Sequence, residues 1–367
     1  MRLIGEQEIE DLALGAALLA SGGGGDPTLG KLMAIKAIRQ YGPIPLLDPL
    51  EVPDDAWVIP TAMMGAPSIM MEKIPNGDEA LKSMRMLEEV HGKKAFATMS
   101  IECGGLNSTL PFVVAAKAGI SVVDADGMGR AFPELHMETF NIYGVQGTPM
   151  ALHNERGDYC LLKTLDNRML EHISRGIAVR MGGVAHIAEY AMSGADVKRT
   201  AIPHTMSLCI DLGKTIREAI QNKKDTIEAI KAATRKSIYG EALVLFRGRI
   251  VDINRQFTDG FVRGHTLLEG FEEYQDMTLH VDFQNENLIA KIDGTLVATV
   301  PDLITFLDLG TGTPLTTEGL KYGFRVICLG IPCPKIMRSD AALRVWGPRC
   351  FGHDYSFVPV EELNGIL

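Results

Sequence analysis

The sequence has no long apolar run and no excess of basic residues. No stretch approaches the roughly 20 consecutive apolar residues that a membrane-spanning helix needs. The 367 residues carry a formal net charge of −10, whereas binding to a nucleic-acid backbone depends on clustered Lys and Arg. We therefore expect neither a membrane nor a nucleic acid as a partner.

Closely spaced cysteine pairs are also absent. Six cysteines are scattered along the chain without a CxxC pair. The first residues, "MRLIGEQEIEDLALG", lack the apolar core of a secretory signal. Both features favour reduced thiols and a cytoplasmic protein.

Internal repeats of 20–50 residues are missing, which disfavours solenoids and propellers. The chain is longer than a single hydrophobic core usually supports, and its pattern changes after about Leu165. We predict two domains, an N-terminal α/β domain over residues 1–166 and a C-terminal β-rich domain over residues 167–367.

The first half alternates between apolar strands and amphipathic helices. The segments "AWVIPTAMM", "KAFATMSI" and "ISVVDAD" predict buried strands, and "DEALKSMRMLEEV" and "STLPFVVAAKAG" predict the helices between them. Strands that alternate with helices are typical of a mainly parallel sheet covered by helices.

The second half has a different pattern. The glycine-rich segment "GIAVRMGGVAHIAEYAMSG" favours a hairpin, and a pair of helices is predicted after it. Beyond Gly240 the period becomes two, and Asp293-Gly294 is a strong hairpin signal. Many short strands with turns between them favour a barrel or a sandwich.

A candidate site lies at one edge of the predicted parallel sheet, where ligands bind beyond the carboxyl ends of strands. The three predicted strands run into the loops "TAMMGAPS", "SIECGGLNS" and "DADGMGRAFPE". Glycines in such loops let backbone approach a ligand. For one loop, turns and helix caps would explain these residues; three consecutive loops favour a site formed by Glu102, Asn107, Asp124, Asp126 and Arg130.

Two chemical roles suit this group of ionisable residues. Asp124, Asp126 and His136 could hold a divalent cation such as zinc or manganese. Alternatively, a crowded carboxylate with a raised pKa transfers protons, and we assign that role to Glu102, with Asp126 as a second catalytic candidate. No HxxxH or HxH spacing is present, so a structural His136 is an equal alternative.

Glycines supply the remaining candidate contacts. Four of them, Gly22 to Gly25, precede Asp26 at a helix junction and offer free N–H groups to a ligand. Gly25 to Lys31 formally fits G-x-x-x-x-G-K, but Leu32 replaces the metal-binding Ser or Thr, which excludes an ATP site. The predicted substrate-binding set is Gly22, Gly23, Gly24, Gly25, Gly104, Gly105, Asn107 and Arg130. Cys103 is either a nucleophile or, without a paired His, a small buried filler.

Several long motifs resemble one known family. "SGGGGDP", "ECGGLN", "VVDADGMGRAFPE", "PDLITFLDLGTGTPL" with "YGFRV", and "GPRCFGHDY" occur in the order found in the S-methyl thiohydantoin desulfurase family, which is also described as hydantoinase- or oxoprolinase-associated. The resemblance runs through nearly the whole chain.

The resemblance implies an N-terminal three-layer α/β domain and a C-terminal barrel-like β domain. It also implies metal-dependent hydrolysis that removes a sulfur substituent from a five-membered thiohydantoin ring, or attack on a related hydantoin or lactam ring. The alternative is a noncatalytic subunit or ligand sensor that partners a hydantoinase or oxoprolinase. We expect a small-molecule ring substrate, a divalent metal such as zinc, and a homo-oligomer.

Overall fold

The computed structural model describes residues 1–25, 27–66, 69, 73 and 75–365. The predictions made for Asp26 and for the end of the first loop at residues 67 and 68 lie outside the described residues. The α-helices of the described part are Glu6–Leu19, Pro27–Tyr41, Glu79–His91, Leu110–Ala118, Thr139–Ile142, Asn167–Arg180, Gly194–Thr200, Thr205–Gln221, Thr226–Arg235, Asp340–Trp346 and Val360–Leu363.

The first sheet contains the predicted parallel strands and a set of antiparallel ones. Its strands are β1 Arg2–Ile4, β2 Ile44–Leu47, β3 Trp57–Gly65, β4 Ala97–Met99, β5 Ser121–Val123, β7 Met150–His153, β8 Tyr159–Leu162, β9 Val184–Ala188 and β10 Met192–Ser193. Two further strands, β6 Ala125–Asp126 and β11 Ile202–Pro203, form a separate two-stranded ladder. The order is β1-β2-β5-β4-β3-β9-β7-β8, with β10 beside β3 and with β6 paired to β11.

Only the centre of this sheet is parallel. Strands β2, β5, β4 and β3 pair in parallel, whereas β1, β7, β8, β9 and β10 join by antiparallel ladders. The prediction of a mainly parallel sheet is therefore corrected to a mixed sheet. Short connections such as the β7–β8 hairpin reverse the chain and cannot produce parallel neighbours.

The hairpin predicted from Gly176 to Gly194 is wrong in its first half, because the helix Asn167–Arg180 runs through it. Asp166 caps this helix by accepting a hydrogen bond from the Met169 N–H at 2.8 Å. Leu170, Ser174 and Ala178 are buried at helical spacing. Gly176 lies on the exposed face, where a glycine costs about 1 kcal/mol without ending the helix.

The second sheet is antiparallel throughout, as the period of two predicts. Its strands are β12 Leu243–Thr258, β13 Phe261–Gly270, β14 Thr278–Gln284, β15 Glu286–Ile292, β16 Thr295–Thr299, β17 Leu303–Asp308, β18 Pro314–Leu315 and β19 Arg325–Ile331. Asp293 and Gly294 both have positive φ in the predicted β15–β16 turn. The predicted helical pair is Thr205–Gln221 and Thr226–Arg235.

The sheet order is β16-β15-β14-β13-β12-β19-β17-β18. Within the described parts of the chain no ladder joins β16 to β18, so the barrel-like closure is not confirmed.

The two halves of the chain share one hydrophobic core. Phe132 stacks on Trp346 with ring centroids 4.8 Å apart. The helices Glu6–Leu19 and Thr205–Gln221 pack with their backbones in contact at Gly15. A side chain at this position would lie only 1.8 Å from the Cys209 carbonyl oxygen, so glycine permits the close approach. Strands β9 and β10, which follow Leu165, belong to the first sheet. The site can therefore draw residues from both halves.

None of the helices in the described residues is long and apolar enough to cross a membrane.

Candidate functional site

A narrow cleft opens at the carboxyl ends of β3 and β4. Residues that line this inner cleft include Gly24, Gly25, Glu102, Asn107, Arg175, Asn285 and Glu286. Its volume is about 40 Å³, which is room for about three water molecules at ~10–15 Å³ each. The predicted Glu102, Asn107, Gly24 and Gly25 thus meet, together with residues from the second sheet.

Glu102 is held in the inner cleft by Asn107. The Asn107 Nδ2 atom donates to Glu102 Oε1 at 2.7 Å. The same amide clamps the end of β3, donating to the Met63 carbonyl at 3.0 Å and accepting from the Met63 N–H at 2.8 Å. One side chain therefore fixes the loop after β4 against the neighbouring strand and orients the carboxyl group.

Burial raises the pKa of Glu102 to about 7, although hydrogen bonds from Asn107 and the Phe132 backbone lower it. The nearby Asp126 carboxylate also raises this pKa, and the charge of Arg130 opposes it. A carboxyl group with a pKa near neutrality is suited to accept and return a proton.

Glu286, the first residue of β15, brings a second carboxyl group to the inner cleft. Burial raises the pKa of Glu286 well above its ordinary value, and the nearby Glu102 carboxyl group raises it further. Its Oε2 atom has no hydrogen-bond partner among the described residues. A protonated Glu286 beside an ionised Glu102 would give the cleft one acid and one base.

The predicted glycines make room for these carboxyl groups. A side chain on Gly23 would lie 2.0 Å from Glu286 Oε1, and one on Gly104 would lie 2.5 Å from Glu102 Oε1. A side chain on Gly24 would meet the Gly104 Cα at 2.2 Å, so the two glycine loops pack backbone against backbone. Gly22 and Gly105 lie in the same loops, and Gly22 accepts a hydrogen bond from the Thr317 N–H at 2.9 Å.

Three further carboxyl groups lie behind the inner cleft. Asp126, Glu138 and Glu189 are buried, and with Glu102 and Glu286 we call them the carboxylate cluster. Neither Glu138 nor Glu189 has a hydrogen-bond partner for its carboxyl oxygens in the described residues. Burial and the Glu189 carboxyl raise the pKa of Glu138 well above its ordinary value, and burial does the same for Glu189. Unpaired buried carboxylates are costly when charged, which favours the protonated forms of Glu138 and Glu189.

Asp126 lies in the cluster rather than on the cleft wall. Its Oδ2 atom accepts from the Met128 and Gly129 N–H groups at 2.9 and 2.7 Å. Burial raises the pKa of Asp126 to about 6, against these hydrogen bonds and smaller effects of Thr205 and Cys103 that lower it. The Asp126 carboxylate therefore raises the pKa of Glu102 without itself lining the inner cleft.

Arg130 is completely buried, and its guanidinium group donates hydrogen bonds to backbone carbonyl oxygens. The guanidinium donates to the carbonyl oxygens of Asp302 and Asn287 at 2.9 and 2.8 Å and to that of Ala131 at 3.1 Å. Burial lowers the pKa of Arg130 to about 10, which leaves it charged at neutral pH. In this structure Arg130 joins the loop after β6 to β15 and to the residue before β17.

The three predicted metal ligands are not brought together. Asp124 accepts from the Ser207 N–H at 2.9 Å and so caps the helix Thr205–Gln221. His136 makes a different contact, with its Nδ1 atom 3.4 Å from Glu134 Oε2. Among residues 1–25, 27–66, 69, 73 and 75–365, no three His, Cys, Asp or Glu side chains form a group that could hold a metal ion. Asp124, Asp126 and His136 therefore make separate contacts in this structure, and their role as metal ligands stays a prediction.

Cys103 is buried beside Cys209 and Asp126 and does not line the inner cleft. Burial raises the pKa of its thiol well above the ordinary value, which disfavours the reactive thiolate form. This environment agrees with the prediction of a small buried filler residue.

Sequence reasoning did not find Glu286, Glu189, Arg175 or Glu171 as site residues. Each lies far along the chain from Glu102 and outside the glycine-rich loops. Arg175 binds Glu171 with two hydrogen bonds, at 2.7 and 3.1 Å, on a helix for which the pattern predicted a hairpin from Gly176 onward.

Two family models match the chain. The model "S-Me-THD-like, N-terminal domain" matches residues 7–164, and "S-Me-THD-like, C-terminal domain" matches residues 165–360. An X-ray crystal structure of a protein from Chromobacterium violaceum is similar in fold, with a TM-score of 0.84 and 23% sequence identity over 98% of this chain and 100% of that one. No curated protein matches the chain.

Proposed function

The chain belongs to the S-Me-THD-like family, and we propose that it is a hydrolase that removes the sulfur substituent of an S-methylated thiohydantoin ring. The observation that carries this proposal is Glu102, a carboxyl group with a pKa of about 7 in a water-sized cleft that also holds Glu286. One carboxyl group with a pKa near neutrality and a second whose pKa is raised well above its ordinary value are the elements of acid–base hydrolysis.

The reaction adds one water molecule and releases methanethiol. Water attacks the ring carbon that carries the sulfur, so a C–O bond forms and the C–S bond breaks. The two protons of water end on the ring nitrogen and on the leaving sulfur, and the ring carbon becomes a carbonyl. No oxidant or reductant is needed.

Each residue of the inner cleft has a role in this scheme. Glu102 in its ionised form takes a proton from the attacking water, and Glu286 in its protonated form supplies one to the ring nitrogen or to sulfur. Asn107 is a positioning residue, since it touches Glu102 Oε1 and fixes its orientation. The volume of the cleft fits the attacking water rather than the ring, so the ring approaches from the open side.

The scheme uses the residues of the inner cleft alone, and the divalent metal that the resemblance implies stays a prediction. Metal analysis of the purified protein, with turnover measured before and after chelation, tests this point. Loss of turnover on chelation, restored by one metal ion, would overturn the carboxylate-only scheme.

Turnover on a small ring panel tests the proposed reaction. S-methyl thiohydantoin, thiohydantoin, hydantoin and a five-membered lactam would be supplied separately, with methanethiol detected by a thiol reagent. We expect release from the S-methyl ring, and a loss of roughly 10²–10⁴-fold in rate in Glu102→Gln. Glu89→Gln, on an exposed helix surface, is the matched control. Tight binding of a ring without any turnover would favour the ligand-sensor alternative.

A further inference from the structure

The first sheet ends on one side in β8, and within the described residues no strand pairs with the outer edge of β8. The Asn154 N–H donates to the Asp158 carbonyl at 3.0 Å across the β7–β8 hairpin, so the backbone groups of Asp158 point toward β7. Backbone groups alternate in direction along an antiparallel strand, and those of Tyr159 and Leu161 therefore point outward. In the described part of the chain these outward groups have no hydrogen-bond partner. An edge of this kind is a template for another strand.

The other outer strands of the two sheets are protected against such pairing. On β1, the Met1 amino group and the Arg2 side chain are engaged in ion pairs. The two-residue strand β18 begins with Pro314, which has no N–H to donate. On β16, the Val297 carbonyl accepts from Asn364 Nδ2 at 2.9 Å. Charge, short length, proline and covering segments are the usual means of blocking an edge, whereas β8 contains neither a proline nor a charged residue.

Large apolar side chains are exposed along the β8 edge. Tyr159 is 65% exposed and Leu161 is 45% exposed. The chain leaves the strand through Leu165, which is 97% exposed, and Met169 at the start of the next helix is 47% exposed. Together with the strand backbone these side chains offer on the order of 500 Å² per copy, so that two copies would bury about 1,000 Å², the lower limit for a specific interface.

We propose that β8 pairs in antiparallel orientation with β8 of a second copy of this chain, about a twofold axis at Cys160. The inference goes beyond the proposed function and does not depend on it. In this register Tyr159 of each copy lies opposite Leu161 of the other, and the outward backbone groups of both residues are hydrogen bonded. An axis at Leu161 would instead place Tyr159 opposite the charged Lys163.

The β8 edge suits a copy of itself because the same two residues supply both halves of each contact. A twofold axis perpendicular to the sheet keeps Tyr159 and Leu161 of both copies on one face, where an aromatic and an aliphatic side chain form a favourable cross-strand pair. Each chain has a net charge of −10, yet β8 itself is uncharged. Two copies can therefore meet at this edge without like charges directly opposite each other.

Light scattering during size-exclusion chromatography tests the pairing at a series of protein concentrations. The parent should have twice the chain mass or an even multiple of it. Leu161→Lys should halve that mass, because a charge at the centre of an edge strand blocks strand addition. Leu3→Lys changes a 58% exposed leucine of the protected strand β1, and this matched control should keep the parent mass.

Two results of the mass measurement would overturn the proposal. A parent of one chain mass would leave the edge free for a strand of another protein. A Leu161→Lys variant with the native circular-dichroism spectrum and the parent mass would show that the copies associate elsewhere.

Oxidative cross-linking tests the register without altering the edge. Opposed residues of a non-hydrogen-bonded antiparallel pair have Cα atoms about 4.5 Å apart, within the ~4.4–6.8 Å range of disulfides. The two Cys160 thiols should therefore link when the parent is treated with copper phenanthroline, giving a covalent dimer on a non-reducing gel. Cys160→Ser should abolish this dimer, and Cys350→Ser, at the exposed cysteine, should keep it. No covalent dimer in the parent, or one that persists in Cys160→Ser, would contradict the proposed pairing.

Discussion

Asn107 holds Glu102 and β3 at the same time, with its Nδ2 atom 2.7 Å from Glu102 Oε1 and hydrogen bonds to both backbone groups of Met63. The carboxyl group that we propose as the proton-transfer residue is thus oriented by a side chain whose other contacts belong to the sheet. Changes at Asn107 should therefore affect both folding and catalysis.

Asn107→Ala is expected to lower the free energy of unfolding by about 1–3 kcal/mol, because the Met63 backbone groups lose their buried partners. Since the Asn107 hydrogen bond lowers the pKa of Glu102, that pKa should also rise. The ascending limb of the kcat/KM profile should then move to higher pH. Denaturant unfolding and a pH–rate profile measure the two effects. An unchanged profile would show that Glu102 is not the titrating group.

The pH dependence of stability should report Glu102 directly. Its folded pKa of about 7 exceeds the ordinary value of 4.5, so the folded state binds the proton more tightly than the unfolded state. The associated stability is fully present below about pH 4.5 and is lost as pH rises through about 7.

Between pH 4.5 and 8 the parent should therefore lose about 3 kcal/mol more unfolding free energy than Glu102→Gln, at ~1.4 kcal/mol per pKa unit. Urea unfolding at a series of pH values checks this, with Glu89→Gln as the control. Parallel curves for the parent and Glu102→Gln would contradict the raised pKa.

Gly23→Ala should disturb the inner cleft, because the new side chain would occupy the space of the Glu286 carboxyl group. We expect a loss of about 1–3 kcal/mol in unfolding free energy, the usual cost of overpacking, and lower turnover in the molecules that fold. Gly310→Ala is a suitable control because the nearest atom to its new side chain lies 3.4 Å away. Full stability and turnover of Gly23→Ala would mean that Glu286 is free to move elsewhere.

Asp124→Asn should behave as a change to a helix cap rather than to a metal ligand. The carboxylate accepts from the Ser207 N–H at the start of Thr205–Gln221, and caps of this kind contribute about 0.5–2 kcal/mol. We expect little change in thermal stability, because Asn keeps an oxygen acceptor for the Ser207 N–H, with turnover and metal content also unchanged. A fall in bound metal together with turnover would restore Asp124 as a ligand.

His136→Gln should likewise leave metal content unchanged, since the histidine lies by Glu134. Metal analysis and steady-state kinetics on the same preparation check this. A loss of metal in this variant would contradict the placement of the predicted ligands in separate parts of the fold.

Much of the architecture follows from local patterns in the sequence. The strands ending at Gly65, Met99 and Val123 and the helices between them are visible as alternating periods. The turn at Asp293 and Gly294 needs positive φ at both positions, which these two residue types adopt easily. Because β3, β4 and β5 are parallel neighbours, the chain segments that follow them leave the same sheet edge, and Gly65, Glu102 and Met128 all line the inner cleft.

Local sequence patterns did not predict contacts between distant segments of the chain. Glu286 reaches Gly23 across more than half of the chain, and no periodicity encodes which strand of the second sheet packs on the glycine loop. Local patterns also missed the helix through Gly176 and the antiparallel pairing of β7 and β9. The helix is stabilised by tertiary packing of its buried residues Leu170 and Ala178.

The direction of each side chain within a loop was set by packing between distant segments. Asp124 and Asp126 are two residues apart, yet one caps a helix and the other accepts from Met128 and Gly129. Arg130 gives its donors to carbonyl groups of the second sheet. The order of residues along the chain was sufficient to predict that Glu102 and Asp126 come near the sheet edge, whereas Glu286 and Arg175 were not predicted there. Packing then selected those that face the inner cleft, because hydrogen bonds to remote backbone groups set the orientation of each buried polar side chain.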